Sequence, residues 1–344
     1  MQSVTEAIRQ MSKNKTIAII THIGADADAF CSLISLKRLI KKQFETPEEH
    51  IHIDLFTDTK NIPEIYDPLV KNVPLNSQRF KKYDLAIAVD CPSLDRLGRY
   101  KRIFKRAKDS LLFDHHDTCN KFAKNNIVIK TSSTCEILYL LFILKRDWKA
   151  SPEIIRLLYA GMITDTNNLT QNVNIGTHKV LADMMQKDAD APLNLDIIRN
   201  YFFKNSSKEK MSLLQRALES LQFFENDRIA IMKIVKQDLY ETDCKQEDTL
   251  GIVDYALNMK GVDIGIIFIK QEDNSYYVSL RSKNNINVGE IAKSFGGGGH
   301  LNIAAFQSNY SLTEIKSNLI LKCREQLIKH PTSDIVSNLF DEDI

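Results

Sequence analysis

The chain has 344 residues, with 46 Lys and Arg against 44 Asp and Glu, a formal charge of +2. Hydrophobic residues make up 43% and charged residues 26%, which excludes a disordered, collagenous or fibrous chain and suits about two domains of ~150 residues each. Whole-chain charge this close to neutral implies no nucleic-acid or membrane partner, so any such partner must be argued locally.

The first half reads as alternating strands and helices. TIAIITHI (16–23) is a short β-branched run, and DADAFCSLISLKRLIKK (26–42) follows it with helical spacing. IHIDLFT (51–57), YDLAIAVD (83–90) and DSLLFDHH (109–116) are further apolar runs ending in polar residues. Short buried runs between helices predict a mostly parallel sheet covered on both faces. In that architecture function collects past the carboxyl ends of the strands.

From 133 to about 223 the spacing turns helical, over 133–147, 152–164, 177–187 and 207–223, with Thr177 and Ser207 as caps. S-S-T-C-E (132–136) reads as a helix cap with Glu136 in the first turn. The last third changes character. RIAIMKIV (228–235), VDIGIIFIKQ (262–271) and SYYVSLRS (275–282) read as strands, with a turn at 271–274 and a helix at 287–294. The expected organisation is α/β and bilobal. A larger N-terminal metal-binding domain (1–190) precedes a helical linker (191–224), a smaller α/β substrate-binding domain (225–330) and a loosely held tail (331–344).

No apolar run approaches the ~20 residues that cross a membrane as a helix. The start, MQSVTEAIRQMSKNK, carries no apolar stretch after its charges, so a secretory leader is not expected. The six cysteines form no C-x-x-C pair. Neither a disulfide framework nor a structural zinc site is expected, and the cytoplasm is the expected compartment.

Four clusters carry ligand-type side chains. T-H-I-G-A-D-A-D (21–28) offers His22, Asp26 and Asp28 on the turn after the first strand. Asp90 ends a strand that should be central, and D-H-H (Asp114, His115, His116) ends another. Asp165, in G-M-I-T-D-T, lies near the end of an otherwise apolar helix, where an acid is costly unless paired or metal-bound. Three of the four clusters follow predicted parallel strands, which points to one metal site. Two imidazoles with four carboxylates favour Mn²⁺ or Mg²⁺ over a thiolate-type zinc site. A shared carboxylate can bridge two ions ~3.5–4 Å apart, an arrangement suited to phosphoester hydrolysis.

G-G-G-G-H (Gly296 to His300) also has chemical content: backbone N–H groups without Cβ atoms can approach a phosphate or sugar closely. R-L-G-R-Y-K-R-I-F-K-R-A-K (96–108) holds seven basic residues and no acid. It reads as a solvated helix face, with a phosphate-backbone track as the alternative.

In this order the motifs T-H-I-G-A-D-A-D, A-V-D, D-H-H, T-D-T and G-G-G-G-H resemble the DHH phosphoesterases. Within these the chain is similar to the two-domain NrnA type, a DHH domain joined to a DHH-associated domain, over about 16–329. The resemblance implies two Mn²⁺ per chain, with Mg²⁺ as a substitute. His22, Asp26 and Asp90 would hold one; Asp28, Asp90, His115 and Asp165 would hold the other, with Asp90 bridging. Asp114 would orient an imidazole, and His116 would contact the scissile phosphate or protonate the leaving oxygen. Gly297, Gly298, Gly299, His300 and Arg281 would bind substrate.

The implied activity is hydrolysis of short oligonucleotides to nucleoside 5′-monophosphates, and of 3′-phosphoadenosine 5′-phosphate to AMP. The implied partners are those two substrates, no membrane, and a homodimer left open. Ala25, Cys31, Asn167 and Phe306 depart from the family pattern, none of them at an implied ligand. Two rival readings stand: a cyclic-dinucleotide or linear-dinucleotide phosphodiesterase of the same family, and a non-catalytic nucleotide- or RNA-binding protein.

Overall fold

Parallel strands need long crossovers, and the helical segments between the apolar runs of the first half supply them. The computed structural model describes residues 2–45, 50–190, 192–299 and 301–330. Two units divide between Asn205 and Ser206. His300 and the expected tail 331–344 lie outside the described residues.

The first unit runs α1 (Gln2–Lys13), β1 (Thr16–Ile20), α2 (Ala27–Phe44), β2 (His52–Phe56), α3 (Asp67–Val70) and β3 (Leu85–Val89). A 3₁₀ turn (Leu94–Tyr100), α4 (Lys101–Arg106), β4 (Asp109–Asp114) and β5 (Asn125–Val128) follow. Next come α5 (Thr134–Leu138), continuing as a π-helical stretch (Tyr139–Leu144), then α6 (Pro152–Asp165), α7 (Ile175–Asp190) and α8 (Leu195–Phe203). The five strands form one sheet in the order β2-β1-β3-β4-β5, parallel throughout. Alternate residues of a strand face opposite sides. Ile17 and Ile19 pack into one core with Leu33, Leu36 and Ile163, while Ala18 and Ile20 pack into another with Phe56, Tyr83 and Phe104. Burial on both faces is why these strands read as continuous apolar runs.

The order reverses direction at β1, with β2 on one side and β3 on the other. Loops leaving the carboxyl ends of β1 and β3 therefore diverge and leave a crevice, the favoured place for a site in such sheets.

The second unit runs α9 (Lys208–Glu219), β6 (Gln222–Phe224), β7 (Ile229–Ile234), α10 (Lys236–Glu241), α11 (Ile252–Leu257), β8 (Ile264–Lys270) and β9 (Tyr276–Ser282). It closes with α12 (Val288–Ser294), β10 (Gly298–Gly299), β11 (Ile303–Ser308) and α13 (Leu312–Lys329). Its mixed sheet has the order β10-β11-β9-β8-β7-β6; only β7 and β8 run parallel. Ile229, Ile231, Phe268 and Leu280 face one core with Ile291 and Leu319, and Ala230, Met232 and Ile267 face another with Leu213 and Val253.

Local chemistry shifts several expected boundaries. Ser207 caps α9, its Oγ accepting from Lys210 N at 3.1 Å. Thr177 does not cap α7, which begins two residues earlier; Asn174 Oδ1 accepts from the Gly176 and Thr177 amides at 2.7 and 3.2 Å instead. The 191–224 stretch contributes α8 to the first unit and α9 to the second. Among the described residues no helix is long and apolar enough to cross a membrane.

Candidate metal centre

The loop after β1 is pinned before it presents any ligand. Thr21 N donates to Phe56 O at 3.0 Å, Thr57 Oγ1 donates to His22 O at 3.2 Å, and Ala25 N donates to Thr59 Oγ1 at 2.8 Å. Gly24 makes the turn at φ +65°. Asp26 then caps α2, accepting from Ala29 N at 3.0 Å. Asp28, in the first turn of α2, is buried.

Asp90 leaves β3 in the left-handed region, at φ +52°. A non-glycine residue held there is uncommon, and such strain tends to collect at functional sites. Its carboxylate faces two ways. Oδ2 lies 3.6 Å from His22 Nε2, while Oδ1 lies 3.5 Å from His115 Nε2 and 3.8 Å from His116 Nδ1. The two imidazoles stand past the end of β4, the next strand over. His115 Nδ1 faces Thr131 O at 3.4 Å, which turns Nε2 toward Asp90 and toward Asp165 Oδ2, 3.4 Å away. His116 Nδ1 bonds Asp114 Oδ1 at 2.8 Å, and Asp114 is fully buried.

Asp28 is fixed by backbone: Thr134 N and Cys135 N donate to its two oxygens at 2.8 and 3.0 Å. Thr134 Oγ1 donates to Asp90 Oδ1 at 3.1 Å, so α5 grips both carboxylates at once. Helix α6 brings Asp165 in at its last residue. It passes so close that a Cβ on Gly161 would lie 2.4 Å from Cys135 Sγ and 2.9 Å from Asp28 Oδ1.

Three groups of side chains offer ligand atoms within 4.8 Å of one another: His22, Asp26 and Asp90; Asp28, His115 and Asp165; and Asp90, His115 and His116. Burial pushes the Asp28 carboxyl up to about 7, and the Asp90 charge adds to it. Burial likewise raises Asp165 well above the carboxylate range, helped by Asp28, Asp26 and Asp90. Asp90 itself is held low: burial opposes its charge, but the His22 hydrogen bond and the His116 and His115 charges outweigh it. All three imidazoles are shifted up. Burial works against their charge, and the acids prevail, Asp90 on each of them and Asp114 on His116.

This donor set fits divalent cations. Asp165 Oδ2 is buried and accepts no hydrogen bond. Four carboxylates in one crevice repel each other unless positive charge is placed among them. Oxygen and imidazole ligands without thiolate suit Mn²⁺ or Mg²⁺.

In the second unit Arg281 lies on β9, largely buried. Its Nη1 donates to Ser279 Oγ at 3.1 Å and Leu280 O at 3.0 Å, and its Nε is 3.5 Å from Asp254 Oδ1. Burial lowers its affinity for the proton and Asp254 partly restores it. The glycine run forms β10 against β11, with Gly298 opposite Ala305 and Gly299 opposite Ala304. Arg281 pairs with Ile303 across the other edge of β11, so the register brings it and the glycines to one end of the sheet. A Cβ on Gly297 would sit 2.2 Å from Ala305 O, and one on Gly299 2.3 Å from Ile303 O. Strand packing alone therefore requires those two glycines. Gly298 has nothing within 4 Å of its Cβ position.

Sequence reasoning missed the role of Thr134 and of Arg96. Glu136, expected in a helix cap, is wholly buried; its Oε2 accepts from Ser132 N at 3.1 Å and Thr177 Oγ1 at 2.8 Å, while Ser133 caps α5. The basic stretch 96–108 is not one helix. Gly98, at φ +57°, breaks it into the 3₁₀ turn and α4. Arg99 and Lys108 pair with Asp58 and Asp84 at 3.1 and 2.7 Å, and Lys101 pairs with Asp95. Arg96 instead reaches the ligand cluster, its Nη2 3.1 Å from His22 Nδ1.

Residues 16–162 match the DHH family, N-terminal domain, and residues 226–329 match the DHHA1 domain. The chain is 25% identical over 302 residues to the probable bifunctional oligoribonuclease and PAP phosphatase NrnA of Streptococcus mutans, covering 87% of this chain and 91% of that protein. It is also 25% identical over 311 residues to a membrane protein–large ribosomal subunit bL9 fusion protein of Aster yellows witches'-broom phytoplasma. That match covers 86% of this chain but only 35% of the fusion. The solved structure of an exopolyphosphatase-related protein from Bacteroides fragilis shares the fold, with a TM-score of 0.83 at 21% identity, over 95% of this chain and 96% of that one.

Proposed function

Because the chain belongs to the DHH family and carries a DHHA1 domain after its DHH domain, we propose that it is a metal-dependent phosphoesterase. Its substrates are short oligonucleotides, hydrolysed to nucleoside 5′-monophosphates, and 3′-phosphoadenosine 5′-phosphate, hydrolysed to AMP. One observation carries this reading: the Asp90 carboxylate turns one oxygen to His22 and the other to His115 and His116. A carboxylate so placed can serve two cations. The NrnA name of the Streptococcus relative supports the choice of substrates.

His22, Asp26 and Asp90 would hold one Mn²⁺; Asp28, Asp90, His115 and Asp165 would hold the other. Bound there, the cations supply a water of lowered pKa and neutralise charge building on the phosphate. The chain's own residues do the rest. Thr134 and the α5 amides keep Asp28 and Asp90 aimed. Asp114 accepts from His116 Nδ1, which leaves His116 Nε2 to carry the proton that the leaving oxygen needs. In the second unit, Arg281 and the backbone at Gly298 offer donors to nucleotide, with Gly297 and Gly299 holding that backbone against β11. His300 follows directly in the chain.

Side-by-side turnover of a dinucleotide, 3′-phosphoadenosine 5′-phosphate and a cyclic dinucleotide, with Mn²⁺ and with Mg²⁺, tests the proposal. Faster release of mononucleotide from the first two, with Mn²⁺ preferred, is expected. Cleavage of the cyclic substrate alone, or nucleotide bound but unchanged, refutes it.

A further inference from the structure

We infer that Arg96 is a substrate-contacting residue of this site, its guanidinium placed to take the non-bridging oxygens of the scissile phosphate. The inference rests on the phosphoesterase reading above and adds a residue to it.

The observation is a competition at one atom. His22 Nδ1 lies 2.9 Å from Ile23 O and 3.1 Å from Arg96 Nη2. A ring nitrogen carries either a proton or a lone pair, and a guanidinium only donates. For Nε2 to offer its lone pair on the Asp90 side, Nδ1 must carry the proton, and Ile23 O is there to accept it. Arg96 then faces a donor and must take another acceptor. Its backbone cannot leave: Ile23 N donates to Arg96 O at 2.8 Å, and the neighbouring Leu97 is fully buried. Its side chain is exposed, so the guanidinium can turn to another acceptor while the backbone stays fixed.

Charge names the acceptor. Four carboxylates balance two divalent cations, so an entering phosphate brings negative charge that the cluster leaves uncompensated. A guanidinium is the side chain suited to paired phosphate oxygens. Arg99, on the same turn, is already engaged by Asp58 and stacks over Tyr100, which makes it the natural control.

The test compares Arg96→Gln, Arg96→Lys and Arg99→Gln. The readouts are steady-state kinetics on a dinucleotide, calorimetric titration of Mn²⁺-loaded protein with AMP, and titration of cation-free protein with Mn²⁺. Arg96→Gln should raise both the KM and the AMP Kd about ten- to hundredfold, as loss of a charge-assisted hydrogen bond does, and leave Mn²⁺ affinity unchanged. Arg96→Lys should fall between, and Arg99→Gln should match wild type. Unchanged KM and AMP Kd in Arg96→Gln overturn the inference. So does a parallel loss of Mn²⁺ affinity, which would make Arg96 a support for His22. If the wild type turns over no phosphoester, the phosphoesterase reading fails on its own. The AMP titration then still decides for Arg96: affinity lost in the variant supports the contact, and affinity retained overturns it.

Discussion

Gly161→Ala should cripple cation binding while leaving the fold nearly as stable as before. The added Cβ would lie 2.4 Å from Cys135 Sγ and 2.9 Å from Asp28 Oδ1, against comfortable separations of ~3.5–4.0 Å, so something must move by about 1 Å. The sulfur has nowhere to go, because Cys135 is fully buried. Any shift of Cys135 carries its amide away from Asp28, which it holds at 3.0 Å. Overpacking costs ~1–3 kcal/mol, and replacing a mid-helix glycine by alanine returns ~1 kcal/mol. The net change is therefore small, a few degrees in Tm at ~2–4 °C per kcal/mol. Disturbing the partners of a ligand typically lowers metal affinity about ten- to hundredfold. Manganese titration of cation-free protein, beside a thermal melt, separates the two effects. Adding Cys135→Ala removes the sulfur and should recover part of the affinity, a coupling that the double-mutant comparison reads directly. Wild-type Mn²⁺ affinity in Gly161→Ala would refute the close-passage argument.

Three further outcomes are expected. Burial and the Asp90 charge hold a proton on Asp28 up to about 7, and the acids hold protons on His22 and His115 against burial. Cations must displace those protons, so Mn²⁺ affinity rises and protons are released as pH rises through about 7; calorimetry showing a flat affinity would contradict the shared site. His116→Gln should lower kcat ~10²–10⁴-fold with cation binding retained. Burial opposes the His116 charge and the Asp114 hydrogen bond restores it, so Asp114→Asn should move the alkaline limb of the kcat profile to lower pH; an unmoved limb removes His116 as proton donor. Gly299→Ala, at φ +151° with Ile303 O 2.3 Å from the new Cβ, should destabilise the second unit by ~1–3 kcal/mol in a melt, whereas Gly298→Ala should melt like wild type.

The parallel sheet was legible because its strands are buried on both faces and so appear as uninterrupted apolar runs: 16–23, 51–57, 83–90 and 109–116 contain β1 to β4. β5 was not, since Asn125 and Asn126 give no apolar signal and only Ile127 is buried. The cluster of acids and imidazoles was legible in part because His22, Asp90, Asp114, His115 and His116 stood at strand ends, where the topology must gather them. Thr134 was hidden because its work is done by an amide and a hydroxyl, which look in sequence like an ordinary cap. Arg96 was hidden among seven basic residues whose periodicity imitates one solvated helix; Gly98 breaks that helix, and the Ile23 amide holds the Arg96 carbonyl beside His22. The glycine run carried two messages at once, and packing against β11 accounts for Gly297 and Gly299 without any ligand.

Counting manganese tests the account most directly. Electron paramagnetic resonance of free Mn²⁺, as cation-free protein is titrated, should reach two ions per chain in the wild type. In Asp90→Ala both should weaken together, because one carboxylate faces both groups of ligands. A single ion in the wild type, or a second ion that binds Asp90→Ala as tightly as before, would contradict it.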